Sequence, residues 1–207
     1  MTMGDEALRE ILGRFAELLR ASPHNLLSPR GLVDLERRHF PESLAFAHGL
    51  PEGPRLLDLG SGGGLPGLVI AAARPDLEVH LLEATGKKAI FLAEAAGVLG
   101  LNVTVHHGRA EELARGPLAG RFSLVTARAV APMVRLGPLA APFLEPGGQL
   151  HAIKGDRWKE EMTEGGSRIQ AVGLTLVGSP EGPRPSEAQG PVVLVLERRG
   201  GVGNMTK

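Results

Sequence analysis

The chain has 207 residues, 43% hydrophobic and 22% charged, with 23 basic and 23 acidic side chains balancing to a net charge of +0 and no cysteine. That length suits one domain with a full hydrophobic core and room for a small helical extension. The composition excludes disulfides, thiolate metal sites, a strong nonspecific grip on nucleic acid and, at 3% aromatic residues, a base-stacking platform for single strands. No run approaches the roughly 18 apolar residues of a membrane span, and Asp5-Glu6 near the start does not resemble a signal peptide. The chain is therefore expected in the cytoplasm, without a membrane partner.

Residues 5–21 place Leu8, Ile11, Leu12, Phe15, Leu18 and Leu19 at helical spacing, which predicts an amphipathic helix with one buried stripe. Ser22-Pro23 breaks it, and residues 24–29 read as a turn-rich connector. A second helical stretch over about 30–48 carries Leu32, Leu35, Phe40, Leu44 and Phe46. Pro41 inside it predicts a kink or two helices, because proline cannot donate a helical hydrogen bond. Arg37, Arg38 and His39 lie on the polar side, either as a solvated face or as a substrate lip.

Arg55-Leu-Leu-Asp-Leu59 is a short strand, and Gly60-Ser-Gly-Gly-Gly-Leu-Pro-Gly67 is a glycine-dense turn running into the apolar helix 68–73. Gly60, Gly62 and Gly64 permit positive φ and let the backbone press against a ligand, while Pro66 suits the first helical position. The helix is expected to start with free N–H groups aimed at whatever sits over the loop. Gly62, Gly64 and Gly67 satisfy G-x-G-x-x-G, with Glu83 about 20 residues on, as a dinucleotide site would have. Asp58, two residues before Gly60, argues against that ligand: a carboxylate at the mouth repels a pyrophosphate. It suits a cation carrying an amino group, such as S-adenosylmethionine.

Arg74-Pro75-Asp76 is a turn, and Leu77–Glu83 alternates as a second strand ending in an acid. In a doubly wound sheet that end lies beside the first glycine turn, where Glu83 can accept hydrogen bonds from both ribose hydroxyls of an adenosine moiety. Residues 85–99 form a helix with Ile90, Phe91, Ala95 and Leu99 inward and Gly100 as its stop. Strand three covers 102–107, followed by a turn over 108–112 whose backbone N–H groups and Glu111 can read an adenine edge. Strand four, 122–126, opens into Ala127-Arg128-Ala129-Val130-Ala131-Pro132, and strand five, 147–155, carries Lys154 at its tip. A polar helix over 156–170 precedes a strand over 171–177, a loop over 178–190 and a strand over 191–197. Two strands joined without a helix run antiparallel.

Strands alternating with helices and closed by a hairpin describe an α/β fold: a doubly wound, seven-stranded, mostly parallel sheet of the Rossmann-like class I methyltransferase kind, with an N-terminal helical extension. Asp58–Gly67, Glu83-Ala-Thr-Gly-Lys-Lys88 with Phe91-Leu92, Gly108-Arg-Ala-Glu111, Ala127-Arg-Ala-Val-Ala131 and Lys154-Gly155 occur in order. Together they resemble the small-subunit ribosomal RNA guanine-N7 methyltransferase family, also called glucose-inhibited division protein B, over about residues 24–197. Leu65-Pro66-Gly67 and Arg128-Ala-Val-Ala131 are its specific parts. The resemblance implies an enzyme that transfers methyl from S-adenosylmethionine to N7 of a guanine, with ribosomal RNA or the small ribosomal subunit as partner. It implies donor contacts at Gly60, Leu65, Ala110, Glu111 and Arg128, beside Asp58, Ser61, Gly62, Gly64 and Glu83 of the turn and its acids. Arg38, His39, Arg128 and Lys154 become positioning candidates, with no metal.

The sequence departs from the family pattern at four places. His24-Asn25-Leu26-Leu27 stands for the usual Tyr-Asn-Leu-Thr, Glu42-Ser43 for Asp-Ser, Glu83 for Asp, and Gly190-Pro191 for an Arg-His pair. The rival readings are a methyltransferase of the same fold with another substrate, and a nucleotide-binding regulatory protein without catalysis. The expected division is a helical extension over 1–50, a methyltransferase domain over 51–199 and a disordered tail over 200–207.

Overall fold

The computed structural model describes residues 4–53, 55–178 and 191–200. Seven strands form one sheet: β1 (Arg55–Leu59), β2 (Glu78–Glu83), β3 (Val103–His107), β4 (Phe122–Arg128), β5 (Leu144–Lys154), β6 (Leu174–Gly178) and β7 (Val192–Arg198). Their order is β3-β2-β1-β4-β5-β7-β6. β1 with β2, β2 with β3 and β4 with β5 pair in parallel, while β7 runs antiparallel to both β5 and β6. The expected doubly wound, mostly parallel sheet with its terminal hairpin is borne out. The chain folds as two compact units, residues 1–110 and 111–207.

In the first unit, α1 spans Asp5–Ala21, as its apolar spacing predicts, and buries Leu12, Phe15, Ala16 and Leu19. Acids in its first turn and Arg20 in its last match the helix dipole. The 30–48 stretch resolves into three pieces: α2 (Pro29–Val33), a π-helical turn (Leu35–His39) and α3 (Phe40–His48). Ser28 caps α2 by accepting from the Gly31 amide at 3.0 Å. Pro41 sits in the first turn of α3, where a missing N–H costs nothing. In the π turn the Asp34 carbonyl accepts from both Arg38 and His39 amides, at 2.8 and 3.2 Å. After α3, Arg74 fastens the chain: it grips Asp76 with two nitrogens at 2.8 and 2.7 Å and donates to the Ala47 and Leu50 carbonyls.

α4 (Gly67–Ala73) and α5 (Gly86–Leu99) follow β1 and β2, and Gly100 ends α5 with a φ of 66°. Phe91, Ala95 and Leu99 are buried as expected, but Ile90 is 60% exposed. Apolar residues continue around most of α5, so the pattern alone does not single out the buried face; Ala89, Leu92 and Ala96 complete it.

α6 (Ala110–Leu113), whose first residue closes the first unit, begins inside the stretch expected to be a turn, and in the second unit β4 continues through Arg128. α7 (Met133–Ala140) has no counterpart in the sequence reading. It is short and contains Gly137-Pro138, two helix-weakening residues. α8 (Trp158–Ala171) crosses α7 closely: a Cβ on Gly165 would stand 2.9 Å from the Val134 amide nitrogen. The expected loop over 178–190 lies, except for Gly178, outside the described residues, as does the expected tail beyond Gly200.

Candidate functional site

β1 delivers the chain into the glycine turn with Asp58 1% exposed. Gly60, Gly62 and Gly64 take φ values of 72°, 56° and 91°, the left-handed conformations for which glycine was expected. Gly60 and Ser61 donate their amides to the Leu82 carbonyl at 2.8 and 3.0 Å, and the Ser61 hydroxyl donates to the Asp58 carbonyl at 2.9 Å. The turn is thereby fixed to the end of β2 before any ligand arrives.

The glycines serve different ends. A Cβ on Gly62 would meet nothing nearer than 3.8 Å, so that position is open. A Cβ on Gly63 would stand 3.2 Å from the Leu26 carbonyl and 3.5 Å from Leu19, and one on Gly64 would strike Leu68 and the Phe15 ring. A Cβ on Gly67 would lie 2.6 Å from the Asp58 carboxylate. The back of the turn thus packs on α1 and the connector, and its small residues answer a crowd of protein atoms as well as a ligand. Pro66 is the residue preceding α4, joined to Leu65 by a cis peptide bond. The expected row of free N–H groups is not there in full, because the Leu68 amide donates to the Gly64 carbonyl at 2.9 Å.

Glu83, 7% exposed at the end of β2, holds the turn from the other side. One carboxylate oxygen accepts from the Gly62 amide at 2.9 Å and the other from the Thr85 amide at 2.7 Å. A carboxylate has about four acceptor positions, so two remain for hydroxyl donors. The donor set therefore fits a ligand with a cationic end and a vicinal diol: two buried carboxylates at adjacent parallel strand ends, with an open glycine between them. The Gly108 amide donates to the Glu83 carbonyl at 3.1 Å, which brings the turn leading to Ala110 beside the same strand end. Glu111, next in the chain, is exposed.

Arg38 is exposed and pairs with Glu42 at 2.9 Å, and His39 Nδ1 lies 3.6 Å from the same carboxylate. In the second unit Arg128 is the last residue of β4, and Ala129 after it takes a φ of 55°, unusual for a residue with a Cβ. Lys154 is 8% exposed; its ammonium lies 2.6 Å from the Glu161 carboxylate and donates to the Ala131 carbonyl at 2.9 Å. Glu161 also accepts from the Met133 amide at 2.9 Å. The sequence reading missed Glu161, one of several acids in a polar helix, with nothing to set it apart from Glu160 and Glu164.

The family described as rRNA small subunit methyltransferase G (GidB) matches residues 9–182. Ribosomal RNA small subunit methyltransferase G of Sorangium cellulosum is 47% identical over 165 residues, covering 76% of this chain and 69% of that protein. The protein of the same name from Frankia alni is 42% identical over 155 residues, covering 73% of this chain and 59% of its own length. The chain thus spans about two thirds of the length of these curated relatives. Among solved structures, a putative transferase of Pyrococcus horikoshii shares the fold, with a TM-score of 0.60 at 16% identity over 84% of this chain and 65% of that one.

Proposed function

The chain belongs to the rRNA small subunit methyltransferase G family, and from that premise we propose that it transfers a methyl group from S-adenosylmethionine to N7 of a guanine in small-subunit ribosomal RNA. The observation that carries the reading is the pair of buried carboxylates, Asp58 and Glu83, closing a glycine turn that is open at Gly62. In this reading Asp58 faces the cationic, amino-bearing end of the donor and Glu83 its ribose. Gly60, Ser61, Gly62, Gly64 and Leu65 shape the floor, and Ala110 and Glu111 border the adenine. Arg128 serves the donor or orients the base. No described helix is long and apolar enough to cross a membrane.

The donor, when bound, supplies an electrophilic methyl carbon on a sulfonium. Guanine N7 carries an in-plane lone pair and no proton. The lone pair forms the new C–N bond while the S–C pair stays on sulfur, and the base becomes cationic with no proton to remove. A general base, worth typically 10²–10⁴-fold where a proton must leave, has no task here. The protein contributes by holding N7 and the methyl carbon in line at about 3–3.5 Å and by excluding water. An arginine donating to N7 would block the attack, whereas one reaching O6 would orient the ring. His24 and His39 are positioning or structural residues in this scheme.

Incubating the protein with donor labelled in the methyl group and with small ribosomal subunits, naked RNA or protein, then mapping the labelled atom, tests the reading. Label at guanine N7 is expected, with a single-turnover rate nearly flat from about pH 6.5 to 9, since no group near the ordinary histidine value of about 6.5 must lose a proton. A log-linear rise with pH that disappears on replacing His24 or His39 would point to a protonated nitrogen or oxygen as the acceptor.

A further inference from the structure

Ala131 and Met133 bracket the end of the segment that leaves β4, and one ion pair holds both. The Lys154 ammonium takes the Ala131 carbonyl at 2.9 Å, the Glu161 carboxylate takes the Met133 amide at 2.9 Å, and the two charges meet at 2.6 Å. At its other end the segment leaves the strand through Ala129, whose φ of 55° is a costly conformation for a residue with a Cβ. Such a conformation persists only where the surroundings fix it. Lys154 is itself the last residue of β5, parallel to β4, so brace and segment lie together at the C-terminal strand ends, the edge at which doubly wound sheets take their ligands. A surface pair would be free to exchange partners, but Lys154 is only 8% exposed and its charge is already matched.

We propose that the Lys154–Glu161 pair is a positioning device for methyl transfer, fixing residues 129–132 as the ledge against which the target guanine is set. The proposal rests on the reading of the chain as a guanine-N7 methyltransferase, in which alignment does the work that a base does elsewhere. Neither residue touches the reacting atoms. Both act through the backbone they hold, and a misplacement of about 1 Å in such a part can cost on the order of a hundredfold in rate. Lys154 is thus a positioning residue whose charge is matched inside the fold.

The test compares wild type with Glu161→Gln and with the paired variant Lys154→Met/Glu161→Met, on small-subunit RNA. Glu161→Gln keeps an acceptor oxygen and is expected to lose about tenfold in kcat. The paired variant leaves no unpaired charge, so it folds, yet it loses both backbone grips, and a modest fall in melting temperature is expected from the freed Ala131 carbonyl and Met133 amide. It is expected to lose about a hundredfold in kcat, with the donor Kd and the KM for RNA within about threefold of wild type. Recovery of kcat together with melting temperature in the paired variant would reduce the pair to a stabilising contact and overturn the proposal. Tighter RNA binding by Glu161→Gln, with a steeper salt dependence, would overturn it too, by showing that a released Lys154 meets phosphate. Wild-type activity on small-subunit RNA is measured first and tests the functional reading by itself, so a failure there is told apart from a failure of the brace.

Discussion

Glu83 accepts from the Gly62 and Thr85 amides, so its removal disturbs the turn as well as any bound ribose. Glu83→Gln keeps one acceptor oxygen and places an NH₂ against one of the two amides. It should weaken S-adenosylmethionine binding by about tenfold to a hundredfold, the worth of a charged hydrogen bond of roughly 1.5–3 kcal/mol. Calorimetric titration checks this, and unchanged affinity would remove Glu83 from the donor site. His151, buried on β5 with Nε2 3.1 Å from Gln149, has its pKa pushed down to about 4 by burial. Its folded value lies below its unfolded one of about 6.5, so the unfolded chain takes up the proton first. Stability from a neutral His151 is present above pH 6.5 and is lost as pH falls toward 4, by on the order of 3 kcal/mol. Denaturant melts of wild type and His151→Gln across that window should diverge; parallel curves would show that the imidazole titrates normally.

α7 and α8 approach so closely at Gly165 that a Cβ would stand 2.9 Å from backbone, and a Cβ on a second small residue, Gly137, would stand 3.1 Å from the Ile169 side chain. Gly165→Ala should therefore cost about 1–3 kcal/mol by overpacking, despite alanine's better helix propensity. A melting temperature lowered by about 2–4 °C per kcal/mol is the expected readout, and a rise would mean that the helices can part without loss. This contact was illegible in the sequence because α7 itself was: Gly137-Pro138 hides an eight-residue helix whose stability comes from α8. The strands were legible for the opposite reason, since short apolar runs such as Leu56-Leu57 and Val192–Leu196 mark strands directly, although in the second only Val192, Leu194 and Leu196 are fully buried. The glycine turn was half legible. Its positive φ angles follow from local chemistry, whereas the crowding of Gly63 by Leu26 and of Gly64 by Phe15 depends on residues some forty to fifty positions away. Glu83 was found by its place at a strand end, and Glu161 was lost because a helix rich in acids gives no sign of which one turns inward.

With a net charge of +0, phosphate contacts in the proposed RNA complex compete with acids that already pair with the arginines. Arg37 pairs with Asp34 at 3.0 Å and Arg38 with Glu42 at 2.9 Å in the first unit; Arg157 pairs with Glu160 at 2.8 Å in the second. Arg157 and Glu160 are both exposed, and such a pair is worth about 0–1 kcal/mol, so exchanging that acid for a phosphate costs little; Asp34 is buried, which ties Arg37 down more firmly. RNA affinity should therefore fall with salt at a slope of about 0.7–0.9 per phosphate, and few phosphates should be counted. Arg38→Glu should reduce RNA binding and leave donor affinity unchanged; normal RNA binding by that variant would make this face ordinary solvated surface. The packing of the glycine turn on Phe15, Leu19 and Leu26 has a consequence in time. During synthesis α1 and the connector leave the ribosome before the turn, and α4 and α5, which also pack on α1, are completed only roughly eighty residues after α1. At about 5–20 residues per second, the nascent chain carries α1 with its apolar stripe only partly covered, by Phe40 on Phe15, for some 4–16 s. Through that interval the part of the stripe that will back the glycine turn is open to any chaperone or neighbouring chain.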